Sequence, residues 1–178
     1  DITKIKDAER EIEFQRDEIK QQRDLALKQR DEITFQKQEI TDSIKYAQRI
    51  QAALMPSHIK LDNTFQHNFI FDLPRDIVSG DFFWCHSEGD LSMLAVADCT
   101  GHGVPGAFMS LIGINFLNDI VLNKAILQPD NILNHLRTSI IESLSQSDKD
   151  GENKDGMDIS FIAYDNVKKL LHFAAANN

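Results

Sequence analysis

The chain has 178 residues, with 28 Asp and Glu against 19 Lys and Arg, 8 Gly, 4 Pro, 2 Cys and 42% apolar residues. Such totals fit a globular protein and exclude collagen-like, low-complexity and disulfide-scaffold chains. The distribution is uneven. No Gly or Pro precedes Pro56; residues 1–55 hold 11 Lys and Arg against 12 Asp and Glu, and residues 56–178 hold 8 against 16.

The first 55 residues read as a rod. Ile5, Ile12, Ile19, Ala26, Ile33, Ile40, Ala47 and Leu54 recur at every seventh position, and the repeats IEFQRDE, IKQQRDL, ALKQRDE and ITFQKQE fill residues 12–39. A seven-residue period without a helix breaker predicts one long helix, roughly 80 Å at ~1.5 Å per residue, and a left-handed supercoil with a partner. The second seam is poor: with the Ile series as a, the d positions are Ala8, Gln15, Gln22, Gln29, Gln36, Ser43 and Ile50. A Gln-rich seam weakens a coil and leaves its register changeable. The segment is either a solvated spacer helix or, the preferred reading, a parallel homodimeric signalling coil joining an upstream sensor to the remainder.

Residues 56–178 change period. Met55–Ser57 ends the helix, and the runs FQHNFIFD (65–72), DFFWCHS (81–87) and LSMLAVAD (91–98) are expected strands. A helix follows from Pro105 to about Asn123, apolar nearly all round and so expected to pack on both sides. A second helix starts at Pro129 and Asp130 with Ile132, Leu133, Leu136, Ile140, Ile141 and Leu144 at helical spacing. Residues 145–156 read as a polar loop, and DISFIAYD and KLLHFAAA as two closing strands. This order predicts an α+β domain with helices packed on a mainly antiparallel sheet.

A globule of net charge −8 repels phosphate backbones and suits hard divalent cations, so no nucleic-acid partner is expected. Cys85 and Cys99 form no framework and read as reduced and cytosolic. No uncharged apolar stretch approaches the ~18–20 residues of a membrane span. Starting at Asp1, the chain reads as a cytoplasmic piece of a longer protein, one compatible with an upstream membrane segment.

Two acidic motifs stand at strand ends: PRDIVSGD (74–81) and ADCTGHG (97–103). In the second, Asp98 closes an apolar strand and is followed by a turn with Gly101 and Gly103. A carboxylate on a strand end beside exposed carbonyls makes an oxygen-ligand set for Mg²⁺ or Mn²⁺, although isolated Asp residues commonly cap turns. Cys85, His86, Cys99 and His102 have spacing unlike common zinc modules, and zinc is not expected.

Together the motifs resemble the SpoIIE-type branch of the PPM family, the metal-dependent serine/threonine protein phosphatases. SIKYAQRIQAALMPS (43–57), IVSGDFFW (77–84), VADCTGHGVPGAFMS (96–110) and GMDIS (156–160) carry the resemblance, which covers about residues 43–178. It implies a β-sandwich flanked by paired helices and a binuclear centre of two Mn²⁺ or Mg²⁺ ions. By that analogy Asp98 bridges the metals, the Cys99 carbonyl binds one, and Asp81 serves the same one directly or through water. Arg75 is either a clamp for the substrate phosphate or a surface arginine; His102 is either a proton donor to the leaving group or a turn residue. Asp155 and Asp158 fall at the start of a strand and are not counted as ligands.

Relatives carry further metal-binding aspartates downstream, and FAAANN stands where they often have an AGH-like turn. The expected organisation is therefore a coiled-coil signalling helix (1–55) and a partial phosphatase domain lacking its C-terminal part (56–178). The resemblance implies hydrolysis of phosphoserine or phosphothreonine on a partner protein, typically an anti-sigma-factor antagonist, with the fragment itself poorly active. The alternative is a non-catalytic dimerisation or scaffold module. Because the heptads run unbroken into the globule, a change of coil register is expected to turn residues 43–57 against the helix that follows the metal loop.

Overall fold

In a computed structural model, which describes residues 2–144 and 155–177, the breaker-free segment forms one helix, α1 (Ile2–Leu54), of 53 residues. Contacts divide the chain into two units, Asp1–Ser43 and Ile44–Asn178. In the first, Ile5, Ile12, Ile19, Ile33 and Ile40 are all more than half exposed, so the helix there buries no apolar stripe of its own.

In the second unit α1 ends at Leu54, just before Pro56, and a short helix α2 (His58–Thr64) begins at once. Ser57 caps it by accepting a hydrogen bond from Lys60 N at 3.2 Å, satisfying one of the amides a helix start leaves unpaired. An irregular stretch leads to the strands β1 (Phe82–Glu88) and β2 (Leu91–Cys99), joined by a tight turn at Gly89. Two helices follow. α3 (Gly103–Asn118) continues into a single π-helical turn (Asp119–Asn123), and α4 (Pro129–Ser143) begins with its Pro in the first turn, where a missing N–H costs nothing. The strands β3 (Met157–Asp165) and β4 (Leu170–Ala176) close the fold.

The four strands form one antiparallel sheet in the order β1-β2-β3-β4. Alternation sets its two faces. Phe82, Trp84, Met93, Ala95, Ala97, Ile159, Phe161 and Ala163 face α3 and α4 and form the core with Met109, Ile114, Leu117, Ile120, Ile132, Leu136 and Ile140. Trp84 Nε1 donates to Asn118 Oδ1 at 2.8 Å, which satisfies its polar atom inside this layer. The other face carries Val96, Leu171 and Phe173, all exposed, so the described residues build one sheet layer backed by helices, with no second sheet among them.

Two expectations are corrected. Residues 65–72 form no strand; Phe69, Phe71 and Leu73 are 90%, 84% and 81% exposed. Their alternation has the period of a strand, but a strand needs a ladder partner, and none of the described strands pairs with them. The α3 helix is not packed on both sides either: Gly106, Ala107, Met109, Ser110, Gly113, Ile114 and Leu117 are buried, while Phe108 is 62% exposed. The helical run Gly103–Asn123 is long and apolar enough to cross a membrane, but Asp119 interrupts it and its buried face belongs to the sheet core.

Candidate functional site

The site is assembled from two loops. The first, residues 75–81, precedes β1; the second, residues 100–102, joins β2 to α3. Both converge on the first turn of α3. A Cβ on Gly106 would lie 2.7 Å from Gly101 O and 3.1 Å from Gly80 Cα, and one on Gly80 would lie 3.3 Å from the Cys99 and Gly101 carbonyl oxygens. At Gly106 only a residue without a side chain allows this approach, and at Gly80 a side chain would be crowded. The second loop also turns through left-handed conformations at Gly101 (φ 85°) and Gly103 (φ 62°). Thr100 fixes its other side: Thr100 N donates to Gly156 O at 3.0 Å, and Gly156 N donates to Thr100 Oγ1 at 3.0 Å.

The first loop is tied to α1 through Gln51, which is 4% exposed. Its Nε2 donates to Ser79 O at 2.6 Å and to Ser110 Oγ at 2.8 Å, and its Oε1 accepts from Ser79 N at 3.2 Å. Ser79 Oγ in turn accepts from Asp81 N at 3.0 Å. The position of Asp81 is thus set by a side chain from α1.

Strand register then puts one polar residue per strand at the same end of the open face. Asp98 pairs with Asp158, Asp81 stands one position beyond the Phe82–Ala97 pair, and Asn177 stands one beyond the Ile159–Ala176 pair. With its amide oriented to donate, the Asn177 nitrogen lies 3.2 and 3.3 Å from the Asp158 oxygens. Asp81, Asp98, Asp158 and Asn177 line one part of a groove of 770 Å³ whose other walls include Phe65, Phe71 and Val96.

Asp81 stands across the β1–β2 ladder from Asp98, and the two carboxyls interact. Partial desolvation, then the hydrogen bond and charge of Asp98, then the charge of Asp72, hold the Asp81 carboxyl above its ordinary range, although the residue as a whole is exposed. Two carboxylates brought together this way favour a shared proton or a cation between them. That donor set suits an oxygen-loving divalent ion. Among the described residues no group of three His, Cys, Asp or Glu side chains is placed to hold a metal.

The remaining sequence candidates are placed as follows. The Cys99 carbonyl faces Gly80, while its thiol is buried and pushed up to about 12 by burial and by the charges of Asp98 and Asp81. Arg75 is exposed on the first loop and makes no hydrogen bond or ion pair with another described residue; it does not line the groove. His102 precedes α3 without a side-chain capping hydrogen bond and contacts Asp76, with Nδ1 3.1 Å from Asp76 Oδ2. Sequence reasoning missed Gln51 and Asp76. Gln51 lies among similar glutamines of a regular helix, and nothing local marks it as the buried one.

A helix-backed antiparallel sheet with acidic residues gathered at one end of its open face is an arrangement similar to a PP2C-type phosphatase domain. Among solved structures the SiaA PP2C domain of Pseudomonas aeruginosa matches at 31% identity with a TM-score of 0.68, over 79% of this chain and 55% of that chain. No protein-family profile and no curated protein matches the sequence.

Proposed function

We propose that the chain belongs to a metal-dependent serine/threonine protein phosphatase of the SpoIIE-type branch. The observation that carries this reading is the meeting of Asp81 and Asp98 at the strand ends, on two loops packed together through glycines. The likeness to the SiaA PP2C domain supports it. Asp81, Asp98 and the Cys99 carbonyl would hold Mn²⁺ or Mg²⁺. Bound there, such ions acidify a water and stabilise charge on the entering and leaving oxygens of an in-line displacement. The chain's own contribution is to fix those oxygens: Ser79 holds the Asp81 amide, Gln51 holds Ser79, and Thr100 pins the second loop.

The substrate class is a phosphoserine or phosphothreonine protein, an anti-sigma-factor antagonist being the expected type, in the cytoplasm. Residues 1–55 form a parallel dimeric coil below an upstream sensor; the exposed Ile stripe of α1 supports this. Gln51 gives the coil a lever on Asp81. A second reading, a dimerisation or scaffold module without catalysis, is favoured by the absence of a three-donor metal cluster among the described residues.

Calorimetric titration with Mn²⁺ separates the two. Saturable binding that is lost in Asp98→Asn, together with Mn²⁺-dependent release of phosphate from a phosphoserine peptide lost in the same variant, supports the phosphatase. No binding with dimerisation intact leaves the scaffold reading.

A further inference from the structure

We propose that Asp76 is a positioning residue: it holds the His102 imidazole by Nδ1, so that Nε2 gives its proton to the departing alcohol oxygen in the phosphate hydrolysis proposed above, on which this inference rests. The contact is His102 Nδ1 to Asp76 Oδ2 at 3.1 Å. An ionised carboxylate only accepts hydrogen bonds, so the hydrogen of this contact sits on Nδ1 and the second ring nitrogen is left for another partner.

Backbone geometry is built around the contact. His102 occupies the N-cap position of α3 with an extended backbone, yet its side chain makes no capping hydrogen bond. It is flanked by Gly101 and Gly103, both in left-handed conformations, and a Cβ on Gly103 would come within 3.6 Å of Asp76 Oδ2. Between these two glycines, His102 reaches the first loop through its contact with Asp76. The pair therefore bridges the same two loops that end in Asp81 and follow Asp98. As a stabilising contact it counts for little, because its side chains are 69% and 40% exposed and such ion pairs are screened by water. Anchoring one nitrogen of an imidazole with a carboxylate so that the other faces the reaction is a recurring arrangement in general acid–base catalysis.

Hydrolysis forms a P–O bond to water and breaks the P–O bond to the serine oxygen. That oxygen leaves with the Nε2 proton of the imidazolium, and the ring keeps Nδ1–H on Asp76. The proton lost by the attacking water passes to solvent, from which the ring regains its own.

Two measurements on the full chain test the assignment. In the long-range ¹H–¹⁵N spectrum of the histidine-labelled protein at about pH 8.5, well above the ordinary histidine pKa of ~6.5, the neutral His102 ring is expected protonated at Nδ1, and in Asp76→Ala it reverts to Nε2–H. In the second, Mn²⁺-dependent hydrolysis of phenyl phosphate, whose leaving group needs a proton, is compared with that of dinitrophenyl phosphate, whose leaving group does not. Asp76→Ala is expected to slow the phenyl ester about tenfold or more and the dinitrophenyl ester less than about twofold, with His102→Ala showing the same selectivity. The double variant is expected to be no slower than His102→Ala. A wild-type ring protonated at Nε2, or equal slowing of both esters, overturns the proposal. If the wild-type chain neither bound Mn²⁺ nor turned over either ester, the phosphatase reading itself would fail, and the spectrum would still decide whether Asp76 anchors the ring.

Discussion

Gln51→Ala is the most informative single change, because one side chain joins three otherwise separate pieces: α1, the Asp81 loop and α3. The substitution removes two donated hydrogen bonds, to Ser79 O and Ser110 Oγ, and one accepted from Ser79 N. At ~0.5–1.5 kcal/mol net for each bond, complete loss would cost roughly 1.5–4.5 kcal/mol. The upper end is not expected. Ser110 Oγ keeps its bond to Ala107 O at 2.8 Å, and Ser79 is only half-buried, so water reaches its backbone groups. About 2–3 kcal/mol remains, which for a cooperative unit of this size corresponds to a melting temperature lower by roughly 6–12 °C. Trp84, the single tryptophan and buried in the core, reports unfolding by its fluorescence. Gln48→Ala, one position of the same helix that is exposed, serves as control with a shift expected below about 0.5 kcal/mol. Gln51→Leu keeps the volume but not the polar atoms, so it should be nearly as damaging. If Gln51→Ala melted within about 1 °C of the unaltered protein, the claim that this residue fixes the Asp81 loop would be wrong.

Other outcomes follow from separate observations. Gly106→Ala places a Cβ 2.7 Å from Gly101 O, a backbone atom that cannot step aside; it is expected to destabilise by about 1–3 kcal/mol and to weaken Mn²⁺ binding, which thermal melts with and without metal would measure. Cys99, with its thiol pushed up to about 12, and Cys85, raised mainly by burial, should not react with a thiol reagent in the native protein at neutral pH and should react at once on unfolding. Asp81 holds its proton more tightly folded than unfolded. Metal-free stability should therefore fall as pH rises from 3.8 through its raised value, and Asp81→Asn should flatten that slope in denaturant titrations; a slope of the opposite sign would contradict the assignment. Replacing Ile19 and Ile33 with Asp should leave α1 monomeric in analytical ultracentrifugation, whereas unchanged association would remove the heptad stripe as the dimer seam.

Much of the fold is legible because its signals are periodic and local. The absence of Gly and Pro before Pro56 gives α1, the alternation Met93, Ala95, Ala97 gives the buried face of β2, and Pro129 marks the start of α4. The stretch from Phe65 to Leu73 shows where this stops. Its alternation is as regular as that of β2, but β2 has Trp84 and Phe83 opposite on one side and Phe161 on the other, while no described strand pairs with Phe69 or Phe71. Strand formation depends on the partner, which the local pattern does not contain. The short helix α2 was within reach, since Ser57 stands at its N-cap, but seven residues give too few turns for an apolar stripe to register.

The site divides along the same line. Asp81 and Asp98 can be picked out because each stands at a strand end within an unusual motif, Asp81 just before β1 and Asp98 near the end of β2, and a strand end is a predictable place for a side chain to point past the sheet. Their neighbours depend on register. Asp158 stands beside Asp98 only because β3 pairs with β2 without offset; a shift of one residue would send it to the helix-covered face. Gln51 and Asp76 depend on packing between elements distant in sequence, and neither has a local pattern. Yet these two hold the loops that carry the legible pair: Gln51 through Ser79, Asp76 through His102. The aspartates at the strand ends mark the chemistry, then, and less conspicuous residues within the same motifs decide its geometry. Exchanging Asp81 or Asp98 should abolish cation binding outright, whereas exchanging Gln51 should grade it, because the donor atoms remain and only their spacing changes.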